Sequence, residues 1–114
     1  MPSVPTFELP EPLGLLAFFG AEPTAQGDGF SAYETEDESG ARLRFSFDVF
    51  ERSIQTALSV GGVSVATVSR EGARRLWIDA DGLHANFHET GFRTELHVRL
   101  TPTVQVLWSS IRTE

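Results

Sequence analysis

The 114-residue chain contains no cysteine and no lysine. Without cysteine there are no disulfides, thiolate zinc sites, iron–sulfur clusters or thiol nucleophiles. Bases are missing from the first third: residues 1–40 hold Glu8, Glu11, Glu22, Asp28, Glu34, Glu36, Asp37 and Glu38 and no arginine, so the excess negative charge lies there. No apolar run approaches the roughly 20 residues of a membrane-spanning helix. Residues 3–11 carry no positive n-region of a secretory leader. A cytoplasmic protein is expected. With 40% hydrophobic and 22% charged residues, composition and length suit one globular domain over residues 1–114.

The charge that is present argues about partners. The net charge is −7, and no basic stripe exists to track a phosphate backbone, so a nucleic-acid partner is not expected. A concentrated acidic run such as Glu34, Glu36, Asp37 and Glu38 can steer a basic protein surface toward itself. It also serves solubility.

Residues 1–12 are rich in proline (Pro2, Pro5, Pro10, Pro12) and read as an extended arm. The apolar stretch LGLLAFFG predicts a short helix over residues 13–20, with Pro12 in the first turn and Gly20 at its end. Residues 21–29 read as a loop. From Phe30 the hydrophobic period becomes two. Leu43, Phe45, Phe47 and Val49 alternate with Arg42, Arg44, Ser46 and Asp48, the pattern of a half-buried strand. Similar alternation continues through Ile54–Val60, Val63–Thr67, Leu76–Ile78, Leu83–Phe87, Phe92–Leu100 and Val104–Trp108.

Seven turns can be tested against this alternation, because a one-residue slip moves every side chain to the other face. Gly61-Gly62 pairs Val60 with Val63. Glu71-Gly72 pairs Thr67 with Leu76. Residues 79–82 pair Ile78 with Leu83, and residues 88–91 pair Phe87 with Phe92. Residues 101–103 pair Leu100 with Val104, residues 50–53 pair Val49 with Ile54, and residues 37–40 pair Ala32 with Phe45. All keep the apolar set on one face. The expected fold is mainly β: a short N-terminal helix, then a curved antiparallel meander of about eight strands over residues 30–110, wrapped around the helix. Glu34 alone falls on the apolar side, opposite Leu43, which points to a rim position or a bulge.

Chemistry-bearing groups are sparse. His84 and His88 have a spacing that would place two metal ligands on one helix face, but four residues along a strand span about 13 Å. The register sets His84 opposite Glu95. Asp79-x-Asp81-Gly82 begins like a calcium loop and lacks the closing ligands. There is no nucleophile elbow, P-loop or dinucleotide fingerprint. No catalytic residue, metal or cofactor is assigned. The polar sheet face is the strongest feature, because it should present Tyr33, Arg75, Trp77, Arg93 and Glu95, and Tyr, Trp and Arg are enriched at interface hot spots. Trp77 has a blander reading too, as a ring covered by an arginine or by the N-terminal segment. Partner binding is therefore assigned to Tyr33, Glu36, Asp37, Glu38, Arg75, Trp77, Arg93 and Glu95.

LRFSFDVFERSIQTAL (residues 43–58), taken with LGLLAFFG and the closing PTVQVLW, resembles small bacterial immunity proteins of polymorphic toxin systems of the Rhs and contact-dependent types. The resemblance is a strand pattern over most of the chain, without a chemical motif, and carries no residue role. It implies a non-enzymatic, cytoplasmic inhibitor that binds and neutralises a cognate toxin. Two other readings stay open at this point. The meander can close as a lipocalin-like barrel that holds a small apolar ligand among Phe45, Phe47, Leu58, Phe87 and Leu96. It can also be a structural protein that oligomerises through edge strands 30–36 and 104–110.

Overall fold

The computed structural model describes residues 6–89 and 91–112; the first five residues of the expected arm lie outside them. The described residues form one helix, α1 (Pro12–Phe19), and nine strands: β1 (Ala25–Gly27), β2 (Phe30–Glu36), β3 (Ala41–Asp48), β4 (Ser53–Val60), β5 (Val63–Glu71), β6 (Ala73–Asp79), β7 (Gly82–Glu89), β8 (Phe92–Arg99) and β9 (Gln105–Arg112). The mainly β class, the N-terminal helix and the antiparallel order are those expected. The meander, however, is cut in two. One sheet runs β1-β2-β3-β4-β5 and the other β6-β7-β8-β9.

The cut falls at Gly72, where sequence reading places a hairpin. Glu71 instead ends β5 opposite Ser53. Two residues on, the Ala73 amide donates to the Arg52 carbonyl, and the Gly72 carbonyl accepts from His88 N–H. Both sides of the junction thus have backbone partners, and the chain crosses from one sheet to the other at a glycine with φ +84°. The two inner faces then cover each other. Tyr33, Leu43, Phe45, Phe47 and Ile54 from the first sheet join Leu76, Leu83, Ala85, Phe87, Leu96 and Val98 from the second in one core. This arrangement overturns both the sheet wrapped around the helix and the closed ligand-holding barrel. Phe45, Phe87 and Leu96 are fully buried in side-chain packing.

The helix lies at one margin, against β2 and β6. Leu15 and Phe19, four residues apart on one face, are buried. Phe19 stacks on Tyr33 at 4.7 Å and on Phe45 at 5.6 Å. Gly20 ends the helix in the left-handed conformation, its N–H on the Leu16 carbonyl, as a terminal glycine should. Ahead of it, Glu8 exchanges backbone bonds with Arg74 and Leu76, so the arm runs parallel to β6 and covers that edge.

Tyr33 was expected on the open face and is 4% exposed in the core. The cause is one residue in a turn. Asp37 and Ala41 close a three-residue loop with Gly40 at φ +87°, the type I turn plus bulge common in hairpins. A three-residue loop shifts the register by one relative to the expected four, so Tyr33, not Ala32, faces Phe45. Glu34 then lies opposite Arg44 on the outer face, which removes the anomaly. A bulge at Val65 similarly turns Ala66 and Val68, rather than Val65 and Thr67, toward the side of Leu58 and Thr56. Two other hairpins differ by an even step, so their faces are kept: Phe47 pairs with Ile54 and Leu83 with Val98. β1 flanks only residues 30–32 of strand 30–36, so residues 33–36 keep an outer position. The outer strands of the two sheets are β1 and β5, and β6 and β9, with the arm bridging to β6 at Glu8.

Candidate partner-binding surface

The outer face of the β6–β9 sheet carries a row of stacked planar groups. Its origin is the register. Trp77 pairs with His84, His84 with His97, and His97 with Leu107, so their side chains sit side by side on one face. The expected His84–Glu95 pair is replaced by His84–His97, with Glu95 opposite Asn86. The Trp77 and His84 rings are 5.2 Å apart at 12°, and the two imidazoles 4.5 Å apart at 8°. Arg75 continues the row, its Cζ 4.9 Å from the Trp77 ring, a cation–π contact.

The β6–β7 turn fixes these rings. His84 Nε2 lies 2.9 Å from Asp79 Oδ1, and His97 Nε2 lies 2.9 Å from the Asp81 carbonyl. A carbonyl only accepts, so His97 carries a proton on Nε2. Asp79 is held below the usual carboxylate range, first by the Asp81 backbone N–H and then by His84. The ionised carboxylate makes His84 Nε2 a donor as well. Arg99 Nε donates to the same Asp81 carbonyl at 3.2 Å. Beside the row opens a groove of about 410 Å³ lined by Trp77, His84, Glu95, His97, Leu107 and Ser109. Arg93 and Glu95 pair at 3.4 Å, both half exposed, a contact of small intrinsic worth. Nearby on this face, Asn86 Oδ1 is shielded from water and meets no donor among the described residues.

The acidic turn stands elsewhere and is divided in role. Asp37 Oδ1 accepts from Ser39 Oγ (2.6 Å), Ser39 N–H (2.9 Å) and Ala41 N–H (3.0 Å), and Oδ2 accepts from Val104 N–H at 2.8 Å. These bonds, the Ser39 hydroxyl foremost and Val104 next, lower its pKa to about 2. Asp37 thereby fastens the β2–β3 turn to the segment entering β9. Glu36 reaches Arg42 at 4.0 Å, while Glu38 is exposed.

The residues assigned to partner binding therefore separate. Arg75, Trp77, Arg93 and Glu95 share the outer face of the second sheet. Glu36, Asp37 and Glu38 form a turn of the first sheet, and Tyr33 is inside. Sequence reading missed His84 and His97 as neighbours of Trp77. The expected Ile78–Leu83 pairing already implies Trp77 beside His84; the signal for His97 was the length of the β7–β8 loop, since pairing runs on to Glu89 and Phe92, two residues into the loop assumed. Among the described residues no group of three or more His, Cys, Asp or Glu is arranged to hold a metal ion. Nor is any described helix long and apolar enough to cross a membrane.

The architecture is a two-sheet antiparallel sandwich with one helix at its margin. No family model and no curated protein matches the chain. Among solved structures, it is similar to a chain of a contact-dependent growth inhibition toxin–immunity protein complex from Klebsiella pneumoniae 342. The two share 24% identity and a TM-score of 0.82, over 91% of this chain and 96% of the other. That likeness establishes the fold.

Proposed function

We propose that the chain is an immunity-type inhibitor, a bacterial cytoplasmic protein that binds a cognate toxin and neutralises it without catalysis. The observation that carries this reading is the fold likeness over nearly the whole of both chains to a member of a toxin–immunity complex. Two features favour the inhibitor side of such a pair. The net charge of −7 suits a basic protein partner better than a phosphate-bearing substrate. The groups with most chemical potential are also committed to structure: His84 and His97 to the β6–β7 turn, and Asp37 to its own turn and Val104.

Contact falls on the β6–β9 outer face. Trp77, flanked by Arg75 and His84 and held by its neighbours, is the hot-spot anchor, since a preordered aromatic loses little freedom on binding. Glu36 and Glu38 supply steering charge. The test is co-expression with a candidate toxin domain taken from the neighbouring genes. Protection from growth arrest and a stoichiometric complex in native mass spectrometry are expected, with affinity falling roughly 30-fold or more in Trp77→Ala. Failure to protect, together with a bare chain or only a few hundred daltons of added mass after gentle purification from the host, overturns the reading.

A further inference from the structure

Of the four outer strands, β1 has three residues and β6 is bridged by the arm at Glu8. β5 and β9 are the long open edges among the described residues, and they are not equivalent. The inward residues of β9, Val106 and Trp108, already pack on the core. β5 is uncovered on both faces as well as at its edge: every residue from Val63 to Glu71 is exposed except Val68, which is half-buried. Val63 and Val65 are 67% and 59% exposed. Sheet edges are ordinarily blunted by lysine, proline or an inward charge. Residues 63–69 (VSVATVS) have none of these. β5 has two such devices, the bulge at Val65 and, near its end, Arg70 on the inner side opposite Ile54, and the pairing with β4 is regular from Ala66 to Glu71.

The geometry points to a second copy of this chain as the occupant, with β5 pairing antiparallel to β5 across a two-fold axis. Self-pairing of edges is an isologous contact and therefore closes as a dimer. A two-fold normal to the sheet must set one residue opposite itself. The regular, unbulged stretch has its midpoint between Val68 and Ser69, and Val68 on the axis is the choice that brings two apolar side chains together. In that register Val68 meets Val68 of the second copy on the inner side. Thr67 meets the second copy's Ser69 on the outer side, a favourable hydroxyl pair. Arg70 falls opposite Ala66 and Glu71 opposite Val65, so no like charges oppose. The union continues the five-stranded sheets of two protomers as one. It uses a surface distinct from the Trp77 face and does not rest on the toxin-binding reading.

Because the chain has no native cysteine, single cysteines report the register directly. At the axis the two Cα atoms are about 4.5–5.5 Å apart, within the roughly 4.4–6.8 Å that a disulfide spans. Val68→Cys is expected to cross-link under mild oxidation, whereas Ser64→Cys, about 26 Å from its copy, stays single. In native mass spectrometry and sedimentation between about 1 and 100 µM, wild type is expected to show twice the 12.5 kDa chain mass as concentration rises. Thr67→Lys/Ser69→Lys sets lysine against lysine at two exposed positions. It is expected to remain a single chain with an unchanged circular dichroism spectrum and the melting temperature of dilute, monomeric wild type. A wild type that stays monomeric throughout overturns the proposal. So does a dimer that survives the double substitution and is abolished instead by Gln105→Lys/Leu107→Lys on β9.

Discussion

Among the described residues, one hydrogen bond crosses the sandwich between side chains: Trp108 Nε1 on β9 donates to Thr56 Oγ1 on β4 at 2.9 Å. Thr56 is buried, and Trp108 also packs on Phe87 at 5.4 Å. Thr56→Val keeps the side-chain shape and removes the acceptor. An indole N–H left without a partner costs about 1–3 kcal/mol, and the methyl that replaces the hydroxyl returns up to about 0.8 kcal/mol. The net loss is about 0.5–2 kcal/mol. Unfolding entropy near 2.1 cal/mol/K per residue gives roughly 0.24 kcal/mol/K for a chain of this length, so the melting temperature should fall by about 2–8 °C. Urea denaturation followed by far-UV circular dichroism is the suitable assay, because Trp108 itself would dominate fluorescence. The midpoint should move while the slope stays constant. Trp108→Phe removes the donor instead, and the double variant should be about 0.5–1.5 kcal/mol more stable than the sum of the single losses implies. A Thr56→Val protein that melts within about 1 °C of wild type, with a strictly additive double variant, would refute the claim that this bond fastens the sheets.

Gly82→Ala should cost about 3 kcal/mol or more, or prevent folding: its φ is +131° and a Cβ would stand 2.3 Å from the Val98 carbonyl oxygen. Gly29→Ala, at φ +75° against only the exposed Phe50 ring, should cost about 1–2 kcal/mol in thermal melts. Asp37, whose carboxyl is lowered from 3.8 to about 2, contributes stability fully above its unfolded pKa and loses it as pH falls through about 2. Melting temperature should therefore drop between about pH 4 and pH 2. Asp37→Asn should flatten that limb without abolishing it, since Asp79 is lowered as well; an unchanged limb removes Asp37 from the account. On the proposed inhibitor reading, Glu36→Lys/Glu38→Lys should slow association with the toxin and weaken its salt dependence. Asp37 is left intact in that variant because its oxygens hold the turn, and identical stopped-flow kinetics would end the steering role.

Strand positions were legible because period-two alternation reports burial, and it placed the inner set of Leu43, Phe45, Phe47, Ile54, Leu83, Phe87 and Leu96 correctly. Registers were legible only to the parity of each loop. Even-step differences, as at residues 49–52 and 90–91, left faces intact and so passed unnoticed. The odd step at residues 37–41 exchanged Ala32 for Tyr33, and its one visible trace was Glu34 on the wrong side. The break at Gly72 left no trace in the alternation, because an apolar face reads the same whether the next strand lies beside it or across from it. In the candidate site, Arg75, Trp77, Arg93 and Glu95 reached the same face because β6 and β8 kept their parity. The histidine stack did not emerge, since it depends on the absolute register of β7 with β8.

The two faces of an antiparallel sheet are locked to each other. The register that buries Leu83 against Val98 also sets His84 beside His97, and the one that pairs Leu76 with Ala85 sets Trp77 beside His84. Core packing thus assembles the outer row with little need for outer side chains to stabilise the fold. Arg75 is exposed, and Trp77 and His97 are only half-buried. Substitution there removes a partial contact and leaves the interior filled, so cost is on the order of 1 kcal/mol or less. Under the proposed inhibitor function, this separation lets specificity change by single substitutions on a constant scaffold. Trp77→Ala should accordingly lose binding while its melting temperature shifts by no more than about 4 °C. A loss of binding matched by a large fall in stability would mean that the row supports the sandwich instead of resting on it.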